Sequence, residues 1–105
     1  MTDLEITKLC AEAMGFEWNP HRLEARVPIF IEGTDKVFRR RWKPYDPLED
    51  DAQAMALVKR FQLNIGTPFP RVWIPRDDGE LAFVGMADDL NRAICECVAK
   101  MQADK

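Results

Sequence analysis

Apolar residues fall into two rhythms along this chain: three stretches repeat every three or four positions, and short dense blocks lie between them. In residues 3–14, Ile6, Leu9, Cys10 and Ala13 follow the spacing of one buried helix face. Thr2 or Asp3 stands where a side-chain oxygen caps the first free amides, and Gly15 suits a left-handed stop. A second helix is expected from Asp50 or Asp51 to Phe61, with Ala54, Met55, Val58 and Phe61 as its core stripe and Leu57 at the margin. Asp46, Glu49, Asp50 and Asp51 crowd its amino end and Lys59 and Arg60 its carboxyl end, which complements the helix dipole. A third helix is expected over residues 87–102, with Asp88 and Asp89 in its first turn and Leu90, Ile94, Cys97 and Met101 on its core face.

The blocks between the helices read as strands. Phe16-Glu17-Trp18 begins a short extended segment that Asn19-Pro20 interrupts, and residues 21–27 carry no clear pattern. Residues 28–31 and 36–38 flank Gly33-Thr34-Asp35 as a hairpin, with Pro28 expected at a strand start or on an edge. The second strand continues to Trp42 before Pro44 and Pro47 end regular structure. Residues 63–70 read as an irregular connection. A second hairpin pairs 71–74 with 81–84 around an Arg-Asp-Asp-Gly turn at 76–79. Residues 81–84 are apolar throughout, the mark of a strand covered on both faces. The expected fold is therefore α+β, in the order αββαββα. It takes the form of a three-layer α/β/α sandwich around a mostly antiparallel four-stranded sheet.

Composition narrows the class without changing that picture. The chain has 105 residues, enough for a single domain spanning 1–105 with one core, and its 47% apolar and 31% charged residues are those of an ordinary globular protein. No apolar run approaches the roughly 20 residues that span a bilayer. Acidic residues near the amino terminus occupy the place where a secretory leader carries positive charge, so the expected location is the cytoplasm. Three cysteines, Cys10, Cys95 and Cys97, lie inside helical patterns, as buried free thiols in a reducing compartment would. The net charge of -3 offers no global attraction to nucleic acid.

Candidate chemistry is sparse. A single histidine, His21, cannot build a multi-histidine metal site. Cys95 and Cys97 are two apart on a helix and so diverge by about 200°, which prevents chelation of one ion; Cys97 is expected in the core and Cys95 on the flank. The five glycines form no phosphate-binding loop, and the absence of serine removes serine-nucleophile catalysis. Glu49-Asp50-Asp51 reads as helix capping and Asp77-Asp78 as turn chemistry rather than a calcium loop. The sequence therefore predicts no catalytic residue, no metal and no cofactor.

The strongest functional candidate is the basic, aromatic run Arg39, Arg40, Arg41, Trp42 and Lys43, followed by Tyr45. On a strand, Val37, Arg39, Arg41 and Lys43 share one face, and Phe38, Arg40 and Trp42 the other. Three readings stand side by side. The arginines pair with the acidic helix start while Trp42 is core; or the run is a protein-binding hot spot; or it holds nucleic acid through phosphate pairing and base stacking.

Three segments, MTDLEITKLCAEAMG, YDPLEDDAQAMALVKRF and ADDLNRAICECVAKM, resemble the small phage and prophage accessory proteins of the phage ABA sandwich and NinX-like family. The matching positions are Gly15, Tyr45, Pro47, Asp50 or Asp51, Ala54, Val58, Ala93 and Cys97. The resemblance covers most of the chain and implies the three-layer fold, a phage or prophage origin and no established enzymatic activity. The arginine run and LNIGTPFP depart from it, which points to a partner particular to this member.

Two functions follow as expectations. One is a non-enzymatic accessory protein in the host bacterial cytoplasm that binds a host protein through Arg39, Arg40, Arg41, Trp42, Lys43 and Tyr45. In its narrower form this is an anti-defence, anti-CRISPR-like inhibitor. The other is a nucleic-acid or nucleotide-binding module that uses Arg39, Arg41 and Lys43 with Trp18 or Trp42. The sequence specifies neither the partner's identity, the oligomeric state nor the host.

Overall fold

The structure, a computed structural model, describes residues 1–66, 69–75 and 81–104. Its order is α1 (Asp3–Ala13), β1 (Glu17–Asn19), β2 (Glu24–Phe30), β3 (Val37–Pro44), α2 (Asp51–Phe61), β4 (Asn64–Gly66), β5 (Arg71–Pro75), β6 (Leu81–Met86) and α3 (Leu90–Ala103). The chain is thus α+β, but αβββαβββα rather than αββαββα. The single four-stranded sheet is replaced by two three-stranded antiparallel sheets, β1-β2-β3 and β4-β5-β6. β1 falls on the short extended segment expected at Phe16-Glu17-Trp18 but left out of the expected order, and β4 lies in the connection expected to be irregular; each has three residues, too few for an alternation to register in the sequence. β2 begins inside the stretch that lacked a pattern.

Local chemistry explains the helix ends. The Thr2 hydroxyl accepts from the Glu5 amide at 3.1 Å. At the other end Gly15, at φ +79, lets the amides of Gly15 and Phe16 close back on the carbonyls of Glu12 and Ala11. Asp50 caps α2 by accepting from the Gln53 amide at 2.9 Å, and Asp89 caps α3 by accepting from the Arg92 amide at 3.2 Å. α3 therefore starts at Leu90, three residues later than the periodicity alone places it.

All three helices meet at α3, which also packs against β5 and β6. Helices in mutual contact cannot lie on opposite faces of one sheet, so the expected sandwich does not form. Ala93, Ile94, Cys95, Cys97, Val98 and Ala99 are all buried, so α3 is enclosed around most of its circumference. Cys95 accordingly lies in the core rather than on the flank. β6 comes so close that a Cβ on Gly85 would strike the Ala93 carbonyl oxygen and meet the Cys97 amide nitrogen at 2.7 Å. On α2 the stripe is rotated from expectation: Leu57 and Ala54 are buried, whereas Met55 is 41% exposed. The 76–79 turn, with Asp77 and Asp78, lies outside the described residues.

Candidate functional site

Two arrangements are candidates for the functional site: a set of buried thiols and a projecting hairpin. The thiols come together because α1 crosses α3. Cys10, Cys95 and Cys97 are free and have no exposed surface, and the Cys10 thiol donates to the Cys95 carbonyl at 3.5 Å. Contact with the Cys95 side chain, then burial, hold the Cys10 thiol far above its ordinary range. Burial pushes the Cys97 thiol up to about 11, slightly offset by Lys100. Raised pKa values make Cys10 and Cys97 poor nucleophiles, and all three cysteines are buried side chains packed in the core. Among the described residues no group of histidine, cysteine or carboxylate side chains is placed to hold a metal. His21 is exposed, its amide held by the Asn19 side chain at 3.0 Å in the β1–β2 turn.

Tyr45 belongs to this buried region and not to the surface run that precedes it. It is 4% exposed and meets Phe16 edge-on, with ring centroids 5.8 Å apart at 90°. Its hydroxyl has no hydrogen-bond partner among the described residues, and burial, then the neighbouring Cys10 and Cys95, raise its pKa. Of the six residues expected to meet a partner, Tyr45 is the one enclosed by the fold.

The other five are on the hairpin. Every residue of β3 is exposed, and so are residues 30–36 leading to it. Among the described strands β3 pairs with β2 alone and forms one edge of its sheet. Cross-strand pairs share a face. Ala25 with Lys43, Val27 with Arg41 and Ile29 with Arg39 line one side; Arg26 with Trp42 and Pro28 with Arg40 line the other. A register shift beyond Ile29 makes Val37 the partner of Phe30. Phe38 is 68% exposed with the Arg39 guanidinium 5.9 Å from its ring, and Trp42 is 40% exposed. Trp42 is therefore not core.

Nor do the basic side chains pair with the acidic start of α2. The ion pairs among the described residues join Lys8 to Glu12, Arg22 to Glu24, Arg26 to Glu17, and Arg92 to Asp3 and Glu96. None includes Arg39, Arg40, Arg41 or Lys43. The acidic residues of α2 are occupied elsewhere: Asp50 caps its own helix, and Asp51 accepts from the Asn91 side chain at 2.7 Å.

Two recesses flank the hairpin. The larger, about 580 Å³, lies over Trp18, Leu23, Pro44, Tyr45 and Leu48. Of the charges on its rim, Arg92 is bound to Asp3 at 2.9 Å and Asp89 caps α3. A smaller recess of about 280 Å³ opens beside Lys43, lined by Phe16, Val27, Ala52 and Ala56. It gives the inner side of the hairpin an apolar floor next to its cations. Sequence reasoning missed this recess because its walls come from α2 and the end of α1, far apart in the chain. No described helix is long and apolar enough to cross a membrane. Compared with protein-family models, curated proteins and solved structures, the chain gives no match to any of them.

Proposed function

We propose that this chain is a non-enzymatic accessory protein of phage or prophage origin that acts in the bacterial cytoplasm by binding a host protein through β3. One observation carries the proposal: Arg39, Arg40, Arg41 and Lys43 are exposed on an edge strand, interleaved with Phe38 and Trp42, and have no ion-pair partner among the described residues. Arginine and tryptophan are the residues most enriched where protein interfaces concentrate their energy. A cluster of unpaired cations also steers an acidic surface into register. The segment resemblance at Gly15, Tyr45, Pro47, Ala54 and Cys97 supports the origin, and an inhibitor of a host defence system is the narrower form.

A second reading, nucleic-acid binding, is favoured by the same alternation of guanidinium and ring, which suits phosphate contact and base stacking. The chain's net charge of -3 works against it beyond the hairpin itself. Pull-down from bacterial lysate, comparing wild type with Arg39→Glu/Arg41→Glu/Lys43→Glu, tests the first reading. A specific protein captured by wild type and lost in the variant is expected. Equal capture by both removes β3 as the site. Single-stranded DNA bound at low salt and released as salt rises would favour the second reading.

A further inference from the structure

The ladder between β2 and β3 shows which backbone groups of the hairpin remain unused. The Tyr45 amide donates to the Leu23 carbonyl at 3.2 Å, one bond of the kind that joins a hydrogen-bonded pair, and so sets the phase of the ladder just beyond its end. In an antiparallel ladder such pairs alternate with pairs that exchange no bonds. Counting along the register, Ala25 with Lys43, Val27 with Arg41 and Ile29 with Arg39 bond to each other. Pro28 with Arg40 and Arg26 with Trp42 do not. Pro28 agrees, since it has no amide proton to give and sits at a position that asks for none. It is thus in the middle of β2 rather than at its start, and it costs the sheet no bond. The N–H and C=O groups of Arg40 and Trp42 consequently face outward along an edge that no described strand covers. The Pro44 carbonyl, next along, is taken by the Gln53 side-chain amide at 3.0 Å, so α2 closes the edge at that end.

We propose that the partner segment is an acidic extended strand that adds to β3 as the fourth strand of this sheet, bonding to the backbone of Arg40 and Trp42. The proposal rests on the protein-binding reading above and gives it a mode. Its occupant follows from charge. Residues 39–43 carry four cations in five positions. A second copy of the chain is disfavoured at this edge. Pairing Arg40 with Trp42 of a copy sets Arg39 against Lys43 and Arg41 against its own counterpart, and like charges directly opposite destabilise a ladder. Edge cations of this kind guard against self-pairing. They also select a strand with carboxylates at every second position, opposite Arg39, Arg41 and Lys43. Backbone bonds then supply affinity that does not depend on sequence, and the alternating acids supply the choice of partner.

A blocked peptide of alternating glutamate and threonine serves as the probe, because it sets glutamates against the three cations while its threonines meet Arg40 and Trp42. Three forms are titrated against the unaltered protein at low salt: the parent, one N-methylated at the threonines and one N-methylated at the glutamates. The expected result is binding of the parent and of the glutamate-methylated form. Threonine methylation removes the donors facing β3 and weakens binding at least about tenfold. Hydrogen exchange should slow at the Arg40 and Trp42 amides by at least about tenfold on binding, while Arg39 and Arg41, already bonded to β2, change little. Failure of the parent to bind overturns the proposal, and so does self-association of the free protein through this edge. Equal binding of all three forms, with loss in Arg39→Glu/Arg41→Glu/Lys43→Glu, overturns the added strand and leaves the basic surface standing. Equal binding of the peptide by that variant and by wild type overturns both. Oligothymidylate that binds more tightly than the peptide and displaces it replaces the acidic strand with nucleic acid.

Discussion

The crossing of α1 with α3 and the β2–β3 hairpin are opposite solutions within the same chain. At the crossing, small side chains let elements approach until there is no room for a further carbon: Cys10, Ala11, Ala93, Cys95, Cys97 and Ala99 are all buried, with Gly85 facing them from β6. On the hairpin, every residue from Phe30 to Pro44 is exposed, large side chains such as Phe38, Arg40 and Trp42 among them. Burial removes reactivity from the one place, where Cys10 and Cys97 hold their protons. Exposure leaves charge, rings and backbone groups unsatisfied in the other. In this chain the residues with conventional chemical reputations are structural, and the candidate function lies where packing is absent.

That contrast breaks first at Gly85. Gly85→Val should destabilise by about 4 kcal/mol or more and leave little folded protein by circular dichroism, because the obstacle is helix backbone and cannot rotate away. A tolerated valine would mean that β6 and α3 pack more loosely than this close approach requires.

Alkaline titration comes next. Unfolded thiols ionise near 9, while the folded Cys97 holds its proton to about 11 and Cys10 holds its own higher still. The folded pKa values are raised, so the stabilisation is complete below pH 9 and is lost as pH climbs from there. Each of these two thiols contributes a loss of about 1.4 kcal/mol per pH unit across that window. Urea denaturation between pH 8 and pH 11 measures the slope, and Cys97→Ala should make it shallower. An unchanged slope would show that Cys97 is not shielded.

Tyr45→Phe removes a buried hydroxyl that has no partner among the described residues, and should leave stability unchanged or raise it by up to about 1 kcal/mol in a thermal melt. A clear loss would reveal a bond that the hydroxyl makes. Per substitution, the smallest effect belongs to the hairpin. Arg39→Glu/Arg41→Glu/Lys43→Glu should shift stability by no more than about 0.5 kcal/mol per site, since exposed side chains without partners contribute little. A large loss of stability would place the hairpin inside the cooperative fold and make it a structural element.

Particular residues show how far the sequence reached. Thr2, Gly15, Asp50 and Phe61 mark helix limits correctly because caps and stops are decided within a few neighbours. Both hairpins are present where dense apolar blocks and turn residues put them. Met55 and Leu57 exchange roles because a stripe shared by neighbouring positions is resolved only by what packs against it. β1 was legible as the short extended segment at Phe16-Glu17-Trp18, whereas β4 escaped notice inside the connection read as irregular, since three residues in a strand are stabilised by their partner strand rather than by their own pattern. The basic run was visible as a candidate, but whether its arginines were paired was not, because Glu49, Asp50 and Asp51 are equally near in the sequence.

By itself, the order of residues determined an α+β chain with three capped helices, two hairpins, buried thiols and one conspicuous basic strand, all consequences of interactions between residues close along the backbone. Only the tertiary structure decided that the strands divide into two sheets, that Tyr45 and Cys95 are enclosed, and that β3 has an edge unpaired among the described strands. Those outcomes depend on which distant surfaces meet and which polar groups find partners, and α3, packed against α1, α2, β5 and β6, gathers most of them.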